Sequence, residues 1–201
     1  MTETHTRVLS DVTIGTSAGN IPVLDSGGKL VSGVIPSAIE EASLSIKDGR
    51  ALMLYVADLR GIALNFSEGQ ADPFDSDTIG STSTNETYDA SNDWYTSSSN
   101  MTLINGGLTA SSAPTTGRIT VQAEFVDSST INTDLTAEIS RDGGTNWTTA
   151  TLTAGAVNGN FTLYEGNATI SGQPSGTSMK FRVKTLNNKE IRVSGIVLRW
   201  T

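Results

Sequence analysis

Four aromatic side chains, Trp94, Tyr95, Trp147 and Tyr164, are the residues best equipped for chemistry at a surface. A ring exposed on a sheet stacks on the apolar face of a sugar, and neighbouring Asn and Asp bind its hydroxyls. Trp94, Tyr95 and Tyr164 are the candidate glycan-binding residues. Trp147 follows a tight turn and is expected to pack beneath its own hairpin, and Trp200 to fill the core. Asp72, Asp75 and Asp77 supply the hard oxygens that Ca²⁺ takes, but without the spacing and glycine of an EF-hand loop. Turn carboxylates and helix caps are the commoner role of such residues, for Asp89 and Asp93 as well, so no metal site is assigned. Acid–base and nucleophilic catalysis have little to work with. The chain has one histidine, His5, and no cysteine. No catalytic residue, enzyme activity or cofactor is expected.

Composition narrows the partners. The chain has 201 residues, 36% of them hydrophobic and only 17% charged, with a formal net charge of −8. An acidic chain lacks the basic patch that phosphate neutralisation needs, so nucleic acid is excluded. No apolar run is long enough to span a bilayer, and Met1–Arg7 lacks the apolar core of a signal peptide. Synthesis in a cytoplasm is expected, without membrane insertion. The sequons, such as Asn85-Glu-Thr, arise by chance in a chain rich in Thr and Asn and carry no weight.

The elements that position these residues are mostly strands. Leu135, Ala137 and Ile139 alternate with polar residues before Asp142-Gly143-Gly144, and a second alternating segment follows from Trp147. This predicts a β-hairpin with a glycine turn. Ile119–Phe125 and Met179–Lys184 alternate in the same way. In the last segment Ile191 and Val193 share one parity and Ile196, Leu198 and Trp200 the other, which predicts a β-bulge at Ser194-Gly195. Six to eight such strands imply a two-sheet sandwich. Gly172–Ser178 is a loop.

The first 36 residues have no helical period and too few large side chains for a core. They form either a flexible tail or a segment that orders against another chain, with short strands at Ile21, Val23 and Leu30-Val31. Pro36 and Ser37 suit a helix entry. Apolar residues at Ile39, Ala42, Ile46, Met53, Val56 and Ala63 follow heptad positions, interrupted by Gly49 and Arg60. A break near Asp48-Gly49 and a stronger helix over Arg50–Arg60 are expected. The run Ala51–Ala57 is apolar nearly all round, so the helix is buried within a domain or against neighbouring copies.

Ser140-x-Asp142-x-Gly144-x-x-Trp147 resembles the Asp-box of sialidases, with Asn146 where a Thr usually precedes the aromatic. That resemblance implies a structural hairpin whose carboxylate accepts backbone hydrogen bonds. A propeller would repeat the motif. A second resemblance covers most of the chain in order. Ile14–Leu30 is similar to a short repeat near the attachment end of bacteriophage tail fibres. Ala71–Asp77 and Ser83–Tyr95 resemble a linker between a helix and a C-terminal sandwich in phage virion proteins, and Ser171–Thr177 resembles a loop before the penultimate strand of such domains.

The resemblance implies a short trimeric tail-fibre or tail-tip protein of the virion. Residues 1–36 would bind other tail or capsid proteins. Residues 37–66 would form a trimeric helical bundle, and 67–201 a mainly β, antiparallel, jelly-roll-like β-sandwich facing host surface polysaccharide. Ile39, Ile46, Leu52, Met53, Val56 and Leu59 are the candidate trimer interface. The alternatives are a head decoration, head-fibre or neck protein with a structural role, or a carbohydrate-binding module.

Overall fold

The computed structural model describes residues 46–79 and 82–201, with side chains from Gly49 onward. The expected attachment segment 1–36 and Ile39 lie outside the described residues, as does the side chain of Ile46. From Gly49 to Thr201 the chain forms one compact unit.

Helix α1 spans Ile46–Ala63 and runs through Gly49 without the expected break. A Cβ at Gly49 would lie 3.1 Å from Asn158 Nδ2, so the small residue serves a close approach rather than a helix stop. The stop comes at Asn65, which takes a left-handed φ of 67°. Asn65 N–H donates to the Ile62 carbonyl and Phe66 N–H to that of Gly61, satisfying two carbonyls of the last turn.

Twelve strands follow: β1 (Glu68–Asp72), β2 (Thr87–Asp89), β3 (Trp94–Thr96), β4 (Thr102–Ile104), β5 (Leu108–Thr109), β6 (Thr116–Phe125), β7 (Leu135–Ser140), β8 (Thr148–Ala150), β9 (Thr153–Asn158), β10 (Phe161–Thr169), β11 (Ser178–Thr185) and β12 (Ile191–Trp200). One sheet has the order β2-β3-β12-β6-β10-β9, with β1 on the β3 side of β12. The other has the order β4-β11-β7-β8, with β5 also on β11. Every strand pair is antiparallel. The core between the sheets holds Ile119, Val121, Leu135, Ile139, Phe181, Val183, Val193 and Trp200. These are the residues whose period of two marks the inner faces. Mainly β structure in an antiparallel sandwich, with one helix among the described residues, is therefore the observed class.

The bulge in β12 falls between Val193 and Gly195, as the parity change implies. A Cβ at Gly195 would stand 2.7 Å from a Leu54 methyl and 3.0 Å from the Asp72 carbonyl. The glycine thus lets both α1 and the end of β1 approach β12.

The alternation misses one feature. Part of the outer face of the larger sheet is buried under α1. Leu54 and Ala57 of α1 pack on Leu163 and Val197. Gln122 and Thr120, on the polar parity of β6, are buried. Gln122 donates to the Arg50 carbonyl and accepts from Ser194 Oγ, so its burial leaves no polar atom unpaired.

Candidate functional site

The residues singled out by the sequence fall in three regions: the outer face of α1, the aromatic cluster around Trp94, and the turn at Asp142. On α1, Leu52, Tyr55, Val56, Leu59 and Ile62, and just past it Leu64, are each 46–63% exposed. Steps of three and four residues place the first five in one stripe along a helix. The opposite side of the helix is already buried, so α1 has two apolar faces. Among the candidate interface residues, Leu52, Val56 and Leu59 lie on the open stripe. Met53 does not; it packs against the Leu54–Leu163 cluster. Heptad spacing placed Met53 in the seam because it could not register that the sandwich takes one face of the helix.

The candidate glycan-binding residues do not form one surface. Tyr95 is 1% exposed and Tyr164 8%, so both belong to the core. This corrects their assignment as stacking platforms. Polar neighbours made Tyr95 look open, but its hydroxyl is fully engaged. It accepts from the Thr78 and Ile79 amides and donates to Asp77 Oδ1 at 2.6 Å. A tyrosine with a satisfied hydroxyl buries readily. Burial first, then the bond to Asp77, raises its pKa well above the usual tyrosine value. Tyr164 stacks on Phe125 with ring centroids 5.0 Å apart.

Trp94 is half-buried. Its ring stacks on Phe161 at 5.8 Å, and the Arg50 and Arg192 guanidiniums stand 5.2 Å and 4.8 Å from its centroid. Arg50 is itself buried, and desolvation lowers its pKa against the attraction of Asp93 and Glu124. Trp94 therefore spends most of its ring on its own chain.

The Asp142 turn closes as the Asp-box pattern implies. Asp142 Oδ1 accepts from Ser140 Oγ (2.8 Å), Thr145 N–H (3.1 Å) and Asn146 N–H (2.9 Å), and Oδ2 from Asn146 Nδ2 (2.6 Å). Gly143 and Gly144 take φ of 77° and 92°. Trp147 packs against Gly144, with the Arg182 guanidinium 4.4 Å from its ring centroid. Burial alone would raise the Asp142 pKa, but the bonds from Asn146, Ser140 and Thr145 outweigh it and lower it. A lowered carboxylate pKa contributes stability above the unfolded value of about 3.9, and the contribution is lost as pH falls through the folded value. Asp142→Ala should therefore lower the melting temperature at neutral pH, and the gap to the wild type should narrow as pH is taken below about 4. A gap constant down to about pH 2 would show that the charge is immaterial.

Asp72 Oδ1 accepts from Phe74 N–H and Oδ2 from Thr78 Oγ1, while Asp77 meets Tyr95. These are turn contacts. Among the described residues no group of three or more His, Cys, Asp or Glu could hold a metal ion.

No family model matches the chain. No curated protein matches it either. Among solved structures, the CBM22-1 xylan-binding domain of Xyn10C from Paenibacillus barcinonensis is similar, at 12% identity and a TM-score of 0.41. The match covers 66% of this chain and 94% of that one. At that score the likeness carries no argument about ligand or function.

Proposed function

We propose that the protein assembles as three copies through α1 and displays its sandwich for non-covalent attachment to surface carbohydrate. The observation that carries this is the second apolar stripe of α1, Leu52, Tyr55, Val56, Leu59 and Ile62, left open after the first face is buried. Contiguous exposed apolar residues of this size mark an interaction surface, and steps of three and four residues suit a helical seam. Three linked sandwiches turn weak sugar sites into avidity without any new contact.

The ordered resemblance to phage virion proteins supports a place on a virus particle, as a short tail fibre or tail-tip protein made in the host cytoplasm. Residues 1–36 would then face other virion proteins. The role is attachment, without catalysis. The same stripe in a head decoration, head-fibre or neck protein would serve assembly alone. One observation favours a monomeric carbohydrate-binding module instead: α1 is already docked on its own sandwich through Leu54 and Ala57, so its stability does not require a second copy.

Light scattering on a size-exclusion column separates these readings. The wild type is expected at the mass of three copies. Val56→Glu with Leu59→Glu should give one copy with an unchanged sandwich melt, since both side chains are exposed. A wild type that is a monomer at micromolar concentration would remove the assembly and leave the binding module.

A further inference from the structure

We propose that the cleft between β1 and the β4–β5 segment binds neutral sugar units of a polysaccharide. This rests on the carbohydrate reading above and places the site away from Trp94. Two cavities, of about 170 Å³ and 440 Å³, share Gln70 and Leu108 as lining residues and so adjoin along β1. The strand's period of two orients them. Ala71 packs toward the Leu54 cluster under α1. Glu68, Gln70 and Asp72, of the opposite parity, line the cavities. Alternate residues of a strand are about 6.6 Å apart, so the cleft carries a short ladder of polar groups.

The ladder is held in place before any ligand arrives. The Glu68 carboxylate accepts from Ser111 N–H (2.8 Å), Ser111 Oγ and Trp200 Nε1 (3.2 Å). Asp72 is fixed by Phe74 N–H (2.9 Å) and Thr78 Oγ1 (2.7 Å). An ionised carboxylate has about four lone-pair sites, so both retain capacity for a ligand hydroxyl. In the facing wall, Asn105 Oδ1 accepts from Phe181 N–H at 2.8 Å, while Asn105 Nδ2 is buried with no hydrogen-bond partner. Leu108, Phe181, Ile196 and Leu198 supply the apolar lining.

An apolar floor with a few fixed polar groups is the pattern of a small-molecule cleft. Its chemistry selects a ring with an apolar face and hydroxyls that both donate and accept. Arg199 also lines the larger cavity, but its charge is taken up by the two-point pair with Asp58, so the two carboxylates in the walls disfavour uronate, sulfate or phosphate groups, because like charges repel. The ligand class is therefore a neutral glycan.

Titration calorimetry of the full chain with neutral oligosaccharides of xylose, glucose and mannose, and with an oligogalacturonate, tests the cleft. A Cβ at Gly106 meets nothing within 4 Å, so Gly106→Trp should fill the cleft without disturbing the fold. Gly106→Trp and Gln70→Ala are each expected to weaken the neutral ligand about tenfold or more, roughly one lost hydrogen bond or a blocked subsite, with unchanged melting temperatures. Trp94→Ala should leave affinity within about twofold. Neutral binding that survives both cleft variants overturns the cleft and leaves the carbohydrate reading standing. Binding of the oligogalacturonate alone overturns the assigned chemistry. No binding to any of the probes overturns both.

Discussion

Replacing Arg141 with alanine should cost the protein about 3–5 kcal/mol, because several carbonyls lose a charged donor at once and a hydrogen bond to a charged group contributes about 1.5–3 kcal/mol. For a domain of this size that corresponds to about 10 °C or more in melting temperature. Arg141 is 7% exposed and sits where β7 leaves its sheet. Its Nε donates to the Pro174 carbonyl (3.1 Å), Nη1 to that of Pro114 (2.7 Å), and Nη2 to those of Ser171 (2.9 Å) and Gln173. These carbonyls belong to the segment before β6 and to the β10–β11 connection, which crosses from one sheet to the other. One guanidinium thus closes an end of the sandwich. Gln173 completes the latch: its Oε1 accepts from Arg141 N–H, and its Nε2 donates to the Ile139 carbonyl and Thr148 Oγ1. Alanine removes the donors and leaves the Pro114 and Gln173 carbonyls buried and unpaired. Arg141→Lys should recover little, because an ammonium is a point donor and cannot span four acceptors as a planar fork does. Chemical denaturation of both variants is the measurement; a loss below about 1 kcal/mol for Arg141→Ala would refute the latch.

Arg199→Ala should release α1 while the sandwich stays folded. The Arg199 side chain is 8% exposed and holds Asp58 of the helix in a two-point pair, Nε to Oδ1 at 2.7 Å and Nη2 to Oδ2 at 2.8 Å. Its Nη1 also donates to the Phe66 carbonyl just past the helix. Gly61 permits this: a Cβ there would meet Arg199 Cδ at 2.7 Å. Removing the arginine strands a mostly buried carboxylate, and a loss of about 3–5 kcal/mol falls on the docking of the helix. Hydrogen exchange should show amides from Leu54 to Ala63 losing protection, with β6 and β10 unchanged. Asp58→Ala should act in the same direction, and the double variant should fall short of the sum of the two. If Arg199→Ala leaves the helix protected, Leu54 and Ala57 suffice to hold it. A helix freed in this way would also blur the proposed self-association seam, so the mass in solution gives a second readout.

Much of the fold is legible in the chain because period-two patterning is local. Ile119 through Phe125, Met179 through Lys184 and the parity change at Ser194-Gly195 identify strands and a bulge from neighbours alone. So does the Asp142 turn, whose donors lie within four residues. The candidate site is another matter. Tyr95 reads as exposed because its sequence neighbours are polar, yet Asp77, Thr78 and Ile79 reach it from at least sixteen positions away. The Arg141 latch has no local signal at all. Its acceptors come from residue 114 and from residues 171–174, and carbonyls have no side-chain identity. The cleft along β1 was likewise invisible, since its walls are two strand edges from different sheets.

The chain by itself determined a mainly β sandwich with one helix, the hairpin at Asp142 and the apolar character of Ala51–Ala57. Each follows from propensity and alternation over short windows. Only the tertiary structure decided which face of α1 is consumed, because both faces are apolar and periodicity cannot rank them. The docked face is the one that carries Asp58 to Arg199 and sets Gly61 against it, and Leu52, Val56 and Leu59 are left open as a consequence.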